Sequence, residues 1–171
     1  MSKSSQEFRE LCGFTYKKEE DNWHNWFSRA EAFKETAILI QDSKNKKAAS
    51  AYFYNAAISV ELILKAILVA SSKSFNKSHK LNELAITADV TLTLDQKDTL
   101  ELLSEIIEWR GRYPVPTKEG RWHNYFNIVH EKHVTRQGAL TRGSIKTFPY
   151  KANYLKLWDA CEGKLLAITQ A

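Results

Sequence analysis

Two side chains in residues 110–123, RGRYPVPTKEGRWH, have the types needed for acid–base chemistry at a phosphate. His123 carries an imidazole, which can take a proton near neutral pH, and Arg112 carries a guanidinium, which can stabilise a negatively charged phosphorane. Metal-free cleavage of RNA needs both roles, because a base must remove the proton of the attacking ribose 2′-OH. Arg112 and His123 are therefore candidate catalytic residues. Ten residues separate them, so only the fold of the intervening loop could bring them together, and otherwise His123 is a surface histidine.

The same segment could hold a phosphate without any catalysis. Arginine presents a fork of donors that fits phosphate oxygens, and aromatic rings such as those of Trp122, Tyr125 and Phe126 offer faces on which bases stack. In the alternative interpretation, the aromatic residues anchor the segment on the core and the charges around them are solvated. The candidate binding residues are Arg110, Arg112, Tyr113, Lys118, Arg121, Arg136 and Arg142.

The positive charge of the chain is concentrated in this region. The 171 residues carry a formal net charge of +5, yet residues 110–151 contain nine lysines and arginines against two acidic residues, Glu119 and Glu131. The rest of the chain is slightly acidic, and a concentrated basic surface favours a polyanionic partner. We therefore expect RNA or a nucleotide as the ligand.

Three histidines in the basic segment, His123, His130 and His133, would share one face of a helix, and three imidazoles are enough for a zinc site. However, no cysteine or nearby carboxylate pair completes such a site, and the sequence contains no glycine-rich phosphate cradle. We therefore predict neither a metal nor a cofactor.

Apolar residues at helical spacing predict the elements that must position these side chains. They indicate helices over residues 22–41, 47–70 and 93–109, a short helix carrying Leu81, and a last helix after Pro149. The second helix is apolar nearly all the way round, so it should lie at the centre of a bundle. We predict an all-α, up-and-down bundle of four or five helices that forms a single domain over residues 1–171. Residues 1–20 form an N-terminal arm, and residues 111–151 form a basic, partly irregular insertion before the last helix, in which residues 121–133 are either a short helix or the first arm of a hairpin.

Three polar residues within the apolar frame are predicted to serve the fold. Glu61 and Lys65 lie one turn apart in the second helix, which predicts a partly buried ion pair. His79, at the start of the short helix, is predicted to hydrogen-bond to the facing helix.

Glu101, Glu105 and Glu108 form an acidic strip on the helix that precedes the basic segment. We expect this strip to face water. The spacing of Glu108 and Arg112 would also allow the carboxylate to hold the guanidinium one turn away.

Three motifs, taken in order, resemble those of the HEPN superfamily (higher eukaryotes and prokaryotes nucleotide-binding domain). In that family a Glu-x-x-x-Lys-Ala signature precedes a His-x-Leu that opens the next helix, and an Arg-Tyr-Pro often closes a later one. The resemblance spans roughly residues 23–114 and makes Glu61, Lys65 and His79 a structural family motif. The matching residues are Glu61, Lys65 and Ala66, then His79 and Leu81, then Arg112, Tyr113 and Pro114.

The resemblance implies a four- or five-helix bundle, often a homodimer, with a role around RNA or nucleotides. Members range from endoribonuclease toxins and anti-phage effectors to non-catalytic partners of nucleotidyltransferases. Catalytic members carry an arginine followed, after four to six residues, by a histidine. This sequence departs from that pattern, because none of its arginines between residues 110 and 142 has a histidine in that window.

The first hypothesis is therefore an RNA- or nucleotide-binding helical protein in a toxin–antitoxin or phage-defence setting. One alternative is a metal-independent endoribonuclease that uses the displaced Arg112–His123 pair, and the other is a non-catalytic protein-interaction partner of a nucleotidyltransferase or other enzyme.

The expected location is the cytoplasm. Cys12 and Cys161 lie far apart, which favours a reducing compartment, and the first ten residues lack the apolar core of a secretory signal. Glu61 and Lys65 interrupt the richest apolar run, so no membrane span is expected.

Overall fold

The structure is a computed structural model, and it describes residues 4–75 and 78–170. Within these residues it contains eight α-helices: α1 (Ser5–Leu11), α2 (Tyr16–Glu20), α3 (Trp23–Asp42), α4 (Ala49–Ala70), α5 (Leu81–Thr87), α6 (Leu94–Glu105), α7 (Glu119–Ile128) and α8 (Lys151–Thr169). A 3₁₀ turn at Lys46–Ala48 leads into α4, and π-helical turns extend α6 over Ile106–Arg110 and α7 over Val129–His133. The strands β1 (Val134–Gln137) and β2 (Leu140–Gly143) pair antiparallel. The predicted all-α class is thus confirmed, with one small hairpin added to it.

Helix α4 forms the centre of the bundle, as its apolar circumference predicts. Its neighbours α3 and α8 pack against it, and Val60, Leu64 and Leu68 are fully buried there. The hydroxyls of Ser59 and Tyr154 share a buried hydrogen bond of 2.7 Å, which ties α8 to α4. A central helix that is covered on several sides holds its side chains in fixed positions.

The same helix bears on the expectation that no segment spans a membrane. The stretch Lys46–Ala70 is long and apolar enough, by length and composition, to cross a membrane, although we predicted that Glu61 and Lys65 would exclude this. In the described fold, 61% of the most apolar stretch of this helix is buried against the rest of the chain. The apolar side chains of this helix therefore pack mainly against other elements of the bundle.

Contacts between α4 and the later helices place α6 antiparallel to α4. The backbone N–H of Leu81 donates to Ser104 Oγ over 3.0 Å, two residues after His79 contacts Glu61. Two turns further along the chain, just past the π turn that extends α6, Gly111 lies against Tyr54, seven residues before Glu61 on α4, and a methyl group at Gly111 would come within 2.7 Å of that ring. Gly111 ends the helix, and the close approach of Tyr54 explains why this residue is glycine.

The ends of α3 and α6 also follow from their sequences. Asn22 caps α3 by accepting a hydrogen bond of 3.1 Å from the backbone N–H of His24. A capping box of Thr93 and Gln96, which have the three-residue spacing typical of this motif, is present at the start of α6. These local signals explain why the predicted and observed starts agree closely.

The insertion between α6 and α8 is an ordered structure in its own right. Residues 119–133 form α7 and its π turn, and the hairpin follows directly. Periodicity alone left the choice between a helix and a hairpin arm open for residues 121–133, and the structure has the helix. Irregular chain remains at residues 111–118 and 144–150.

The predicted N-terminal arm contains α1 and α2, and residues 1–3 lie outside the described part. Neither helix buries a residue. The arm is tied to α3 where Trp26 Nε1 donates to the carbonyl of Glu20 over 2.9 Å.

Candidate nucleic-acid interface

Arg112 lies where the π turn of α6 ends. Its Nη2 atom donates to the backbone carbonyls of Ile107, at 3.2 Å, and Glu108, at 3.1 Å. Its guanidinium lies 5.7 Å from the ring centre of Tyr54 and 5.3 Å from that of Tyr113. The end of a helix leaves carbonyls without intrahelical donors, so a guanidinium is stabilised there.

The prediction that the Glu108 carboxylate holds Arg112 is therefore wrong. The carbonyl of Glu108 accepts from Arg112, whereas its carboxylate forms an ion pair with Arg121. The reason is the approach of α7, which brings a second arginine to this carboxylate.

Arg110 is exposed and lies over two aromatic rings. Its guanidinium carbon is 5.8 Å from the ring centre of Trp109 and 5.8 Å from that of Tyr125. Trp109 is buried, and its Nε1 atom donates to Glu105 over 2.8 Å, so the ring is held firmly. A guanidinium over a ring face keeps its charge and its outward donors.

The acidic strip of α6 was predicted to face water, and this prediction is wrong, because the strip binds the insertion. Arg121 donates through Nε and Nη2 to the two carboxylate oxygens of Glu105, at 3.0 and 3.1 Å, and also pairs with Glu108. These hydrogen bonds, that to Glu105 first, raise the pKa of Arg121. Because the two arms of the guanidinium fit one carboxylate, this pair is both directional and specific.

Lys132 makes a second link between the insertion and α6. Its Nζ atom lies 2.6 Å from a Glu101 oxygen and 3.2 Å from an Asp98 oxygen, and the hydrogen bond to Glu101 raises the pKa of Lys132. Asp98 therefore extends the strip, at the same helical spacing as its three glutamates. Two of the nine basic residues in the segment 110–151 are in this way neutralised by α6.

A third basic residue of that segment, Lys151, pairs with Asp42 at 2.7 Å. Among the residues that the structure describes, no carboxylate within ion-pair distance is found for Arg110, Arg112, Lys118, Arg136, Arg142 or Lys146. Within residues 110–151, the basic residues without a carboxylate partner thus lie at the end of α6, at the start of α7 and on or just after the hairpin.

His123 and Arg112 have different partners. His123 is 68% exposed on the outer face of α7, and its Nε2 atom lies 3.6 Å from Glu119. No hydrogen bond or ion pair joins it to Arg112 in the described part of the chain. The catalytic pairing of these two residues stays a prediction.

The other two histidines of the insertion differ sharply in environment. His133 is fully buried, its Nδ1 atom is 3.1 Å from the carbonyl of Thr147, and its Nε2 atom has no partner. Burial lowers the pKa of His133, because the charged imidazolium would lose its hydration. His130 is exposed and contacts Arg136. Over residues 4–75 and 78–170, no three His, Cys, Asp or Glu side chains are arranged to hold a metal.

The predicted ion pair of Glu61 and Lys65 is present inside the bundle. Lys65 Nζ donates to one oxygen of Glu61, and the second oxygen lies 2.7 Å from Nδ1 of His79, as predicted for a histidine facing that helix. The ring centres of Trp26 and Phe75 lie 6.0 and 5.7 Å from the ammonium. These contacts join the start of α5 to α4.

The sequence did not point to two aromatic residues of the candidate interface, namely Tyr54 and Trp109. Trp109 directly precedes Arg110, so its position in the sequence was a usable signal. Tyr54 lies on α4, 58 positions before Arg112, and nothing in the local sequence links the two. Tyr113, which was predicted, is 54% exposed beside Arg112.

Comparison with known proteins gives one match. The model of the HEPN domain family matches residues 23–131. No curated protein and no solved structure matches the chain. The match begins at the first residue of α3 and ends inside the π turn after α7, so the hairpin and α8 lie beyond it. Because more than half of the chain is matched, this protein belongs to the HEPN domain family.

Proposed function

We propose that this HEPN-domain protein binds RNA or a nucleotide through Arg110, Arg112 and Tyr113, which we call the α6-end surface. Family membership suggests a nucleotide-binding or ribonuclease-like role, and the charges of this chain favour a particular place for the ligand. The observation that carries the proposal is the contrast between neutralised and available cations within the basic segment.

Arg110 and Arg112 are held by rings and backbone carbonyls, neither of which removes their positive charge. Arg121 is held by two carboxylates, so its charge is largely cancelled. The end of α6 therefore carries two positioned guanidinium groups, and each can offer a phosphate a charge-assisted hydrogen bond.

Aromatic faces beside these arginines suit the other part of a nucleotide. Tyr113 is exposed next to Arg112, and stacking on such a ring is available to any base. Phosphate contacts combined with stacking favour single-stranded RNA or a free nucleotide over a closed duplex, whose bases are already stacked.

The biological setting that we propose is toxin–antitoxin or phage defence, in the cytoplasm and as a homodimer, with a protein partner such as a nucleotidyltransferase as the alternative. The exposed apolar residues of the N-terminal arm, Phe8, Leu11, Phe14 and Tyr16, support an association with another chain. Size-exclusion chromatography with light scattering distinguishes a dimer from a monomer.

Binding is tested by fluorescence anisotropy with a labelled single-stranded RNA of about 20 nucleotides over a range of salt concentrations. Arg110→Ala/Arg112→Ala should weaken binding at least about tenfold and reduce the salt slope by about 1.4, since each phosphate contact contributes about 0.7 for single strands. The matched control, Arg9→Ala/Arg29→Ala, removes the same charge from exposed residues of α1 and α3 and should change little.

Competition by ATP distinguishes the two ligands. Displacement of the labelled RNA by micromolar ATP indicates a nucleotide site, and no displacement indicates an RNA site. Equal weakening by the test and control variants would show that only net charge matters, and this would refute the α6-end surface. Absence of binding by the wild-type protein to both ligands would refute the function.

A further inference from the structure

The stretch from residue 132 to residue 158 contains no aspartate or glutamate, although it carries six lysines and arginines. Lys132 and Lys151 are paired with carboxylates of α6 and α3. Arg136, Arg142 and Lys146 lie on or beside the hairpin, and no carboxylate within ion-pair distance is described for them. This second group of available cations lies outside the α6-end surface.

The base of the hairpin is firmly fixed to the rest of the fold. The N–H of Ser144 donates to the carbonyl of His133 over 2.7 Å, and the hydroxyl of Thr147 donates to the carbonyl of Lys132. Gly143 packs so closely on Phe148 that a methyl group there would lie 3.0 Å from the ring. Ser144 and Thr147 are buried. The hairpin is therefore held in a defined position at its base.

The far end of the hairpin is open to solvent. Gly138, with φ of +60°, makes the tight turn, and Leu140 beside it is 75% exposed. Thr135 pairs with Arg142 in the ladder, and both are exposed, so this face of the ribbon is uncovered. A rigid ribbon that presents an arginine and an apolar residue to solvent is suited to contact a partner.

The outer face of α7 connects the two groups of cations. At one end, Arg110 lies over Tyr125, and the next residue, Phe126, is 42% exposed. One turn later His130 is exposed and contacts Arg136 of β1. Phe126 and His130 are thus exposed one turn apart on the outer face of α7, and the contact of His130 with Arg136 joins that face to the start of the hairpin.

We propose that a single strand of RNA lies along α7, from the α6-end surface past Phe126 to the hairpin, where Arg142 and Lys146 bind its backbone. This inference rests on the proposed function and extends it from a local site to a track. The hairpin follows residue 131, so it is a feature of this chain outside the matched family region. A single strand fits because bases that stack on Phe126 must be unpaired.

The length of the track follows from the elements. From Tyr125 to His133 the chain rises about 12 Å at 1.5 Å per residue, and three strand residues add about 10 Å. At about 3.4 Å per nucleotide of a stacked strand, this distance of roughly 20 Å corresponds to about six nucleotides. An oligonucleotide of about four nucleotides therefore occupies only one end, whereas one of about twenty spans both.

The experiment measures anisotropy with labelled single-stranded RNAs of about four and about twenty nucleotides and with a duplex of about twenty base pairs. Arg142→Ala/Lys146→Ala should weaken binding of the long single strand at least about fivefold, lower its salt slope by about 1.4 and leave the short one unchanged. Phe126→Leu, which keeps an apolar side chain on α7, should weaken binding of the long single strand at least about fivefold, because stacking on the ring is lost. Arg9→Ala/Arg29→Ala is again the control for charge, and circular dichroism checks that each variant is folded.

An unchanged affinity of the Arg142→Ala/Lys146→Ala variant for the long strand would overturn the track while leaving the α6-end surface intact. Equal losses on the short and long strands would overturn it too, because the hairpin would then belong to a single compact site. Duplex binding as tight as that of the single strand, and insensitive to Phe126→Leu, would show that the bases are not read by stacking. Failure of the wild-type protein to bind any of the RNAs would instead reject the proposed function itself.

Discussion

Replacement of Glu61 by leucine is expected to be one of the most damaging single substitutions in the core. The side chains of Glu61 and Lys65 are only 7% and 10% exposed, so Glu61→Leu leaves an ammonium group buried without its counter-ion. Removal of one partner from a buried pair costs about 3–5 kcal/mol. For a chain of this size, each kcal/mol lowers Tm by about 2–4 °C, which gives a decrease of roughly 6–20 °C. The faces of Trp26 and Phe75 remain near the ammonium and favour the lower half of that range.

The double variant Glu61→Leu/Lys65→Met separates an uncompensated charge from a loss of packing. It removes both charges and keeps apolar side chains of similar size, and such replacements are often close to neutral. We therefore expect the double variant to recover at least about 2 kcal/mol of the loss caused by Glu61→Leu alone. His79→Ala is the companion variant, and because His79 is about half exposed it should cost only about 1 kcal/mol.

Urea unfolding followed by circular dichroism measures these free energies, and a double-mutant cycle gives the coupling between Glu61 and Lys65. If Glu61→Leu costs less than about 1 kcal/mol, the ammonium group of Lys65 is hydrated and the ion pair is not a buried one. If the double variant is less stable than the single variant, the cost lies in side-chain shape, and the electrostatic argument fails.

Three further substitutions probe the insertion, the end of α6 and α8. Burial lowers the pKa of His133 below its ordinary value of 6.5, so below about pH 6.5 the unfolded chain binds more protons than the native one, and stability should fall between pH 7 and 5. His133→Asn keeps a donor toward Thr147 without a titrating group, so its Tm should be less sensitive to pH; parallel curves would exclude His133 as the cause. Gly111→Ala places a methyl group 2.7 Å from the ring of Tyr54 and should cost about 1–3 kcal/mol, whereas Gly163→Ala, which meets nothing within 4 Å, should gain about 0.5–1 kcal/mol. Thermal unfolding ranks the two, and the opposite order would refute the packing argument.

Local patterns in the sequence were sufficient for most of the helical frame. The helices α3, α4 and α8 bury apolar residues at helical spacing, and periodicity detects this without knowledge of the partner. The Thr93–Gln96 capping box and the Glu61–Lys65 pair involve residues three or four apart, so their geometry is set by the helix itself. Prediction succeeded where the interacting groups share one element.

Prediction failed for the acidic strip, whose partners are distant along the chain. Glu105 pairs with a residue 16 positions away and Glu101 with one 31 positions away, and a helix with unmatched acidic residues is expected to face water when such partners are unknown. The hairpin at residues 134–143 was not predicted for a related reason, since a hairpin was considered only with its first arm at residues 121–133. The short strands carry little periodic signal and depend on anchoring by Thr147 and Phe148. Sequence therefore located the basic segment but did not sort its charges into paired and available ones.

Arg121 provides the sharpest test of that sorting. The sequence predicts that it binds nucleic acid, whereas its contacts with Glu105 and Glu108 favour a role in holding α7 on α6. If its charge is cancelled by these carboxylates, Arg121→Ala/Glu105→Gln/Glu108→Gln, which removes the guanidinium without leaving its two partners charged, should keep RNA affinity within about twofold of the wild-type value. Amide hydrogen exchange across residues 119–133 should become faster, because α7 would lose a bidentate contact.

The opposite result would place Arg121 among the ligands of the RNA. A phosphate could displace the two carboxylates from Arg121 only if it bound the guanidinium at least as tightly as they do. The released Glu105 and Glu108 would then repel the same strand. A loss of RNA affinity of about tenfold, with unchanged amide hydrogen exchange in α7, would show that Arg121 leaves its carboxylates to bind RNA. It would also mean that the acidic strip of α6 competes with RNA for the insertion, so that charge pairing in the free protein could not be used to exclude a basic residue from the binding site.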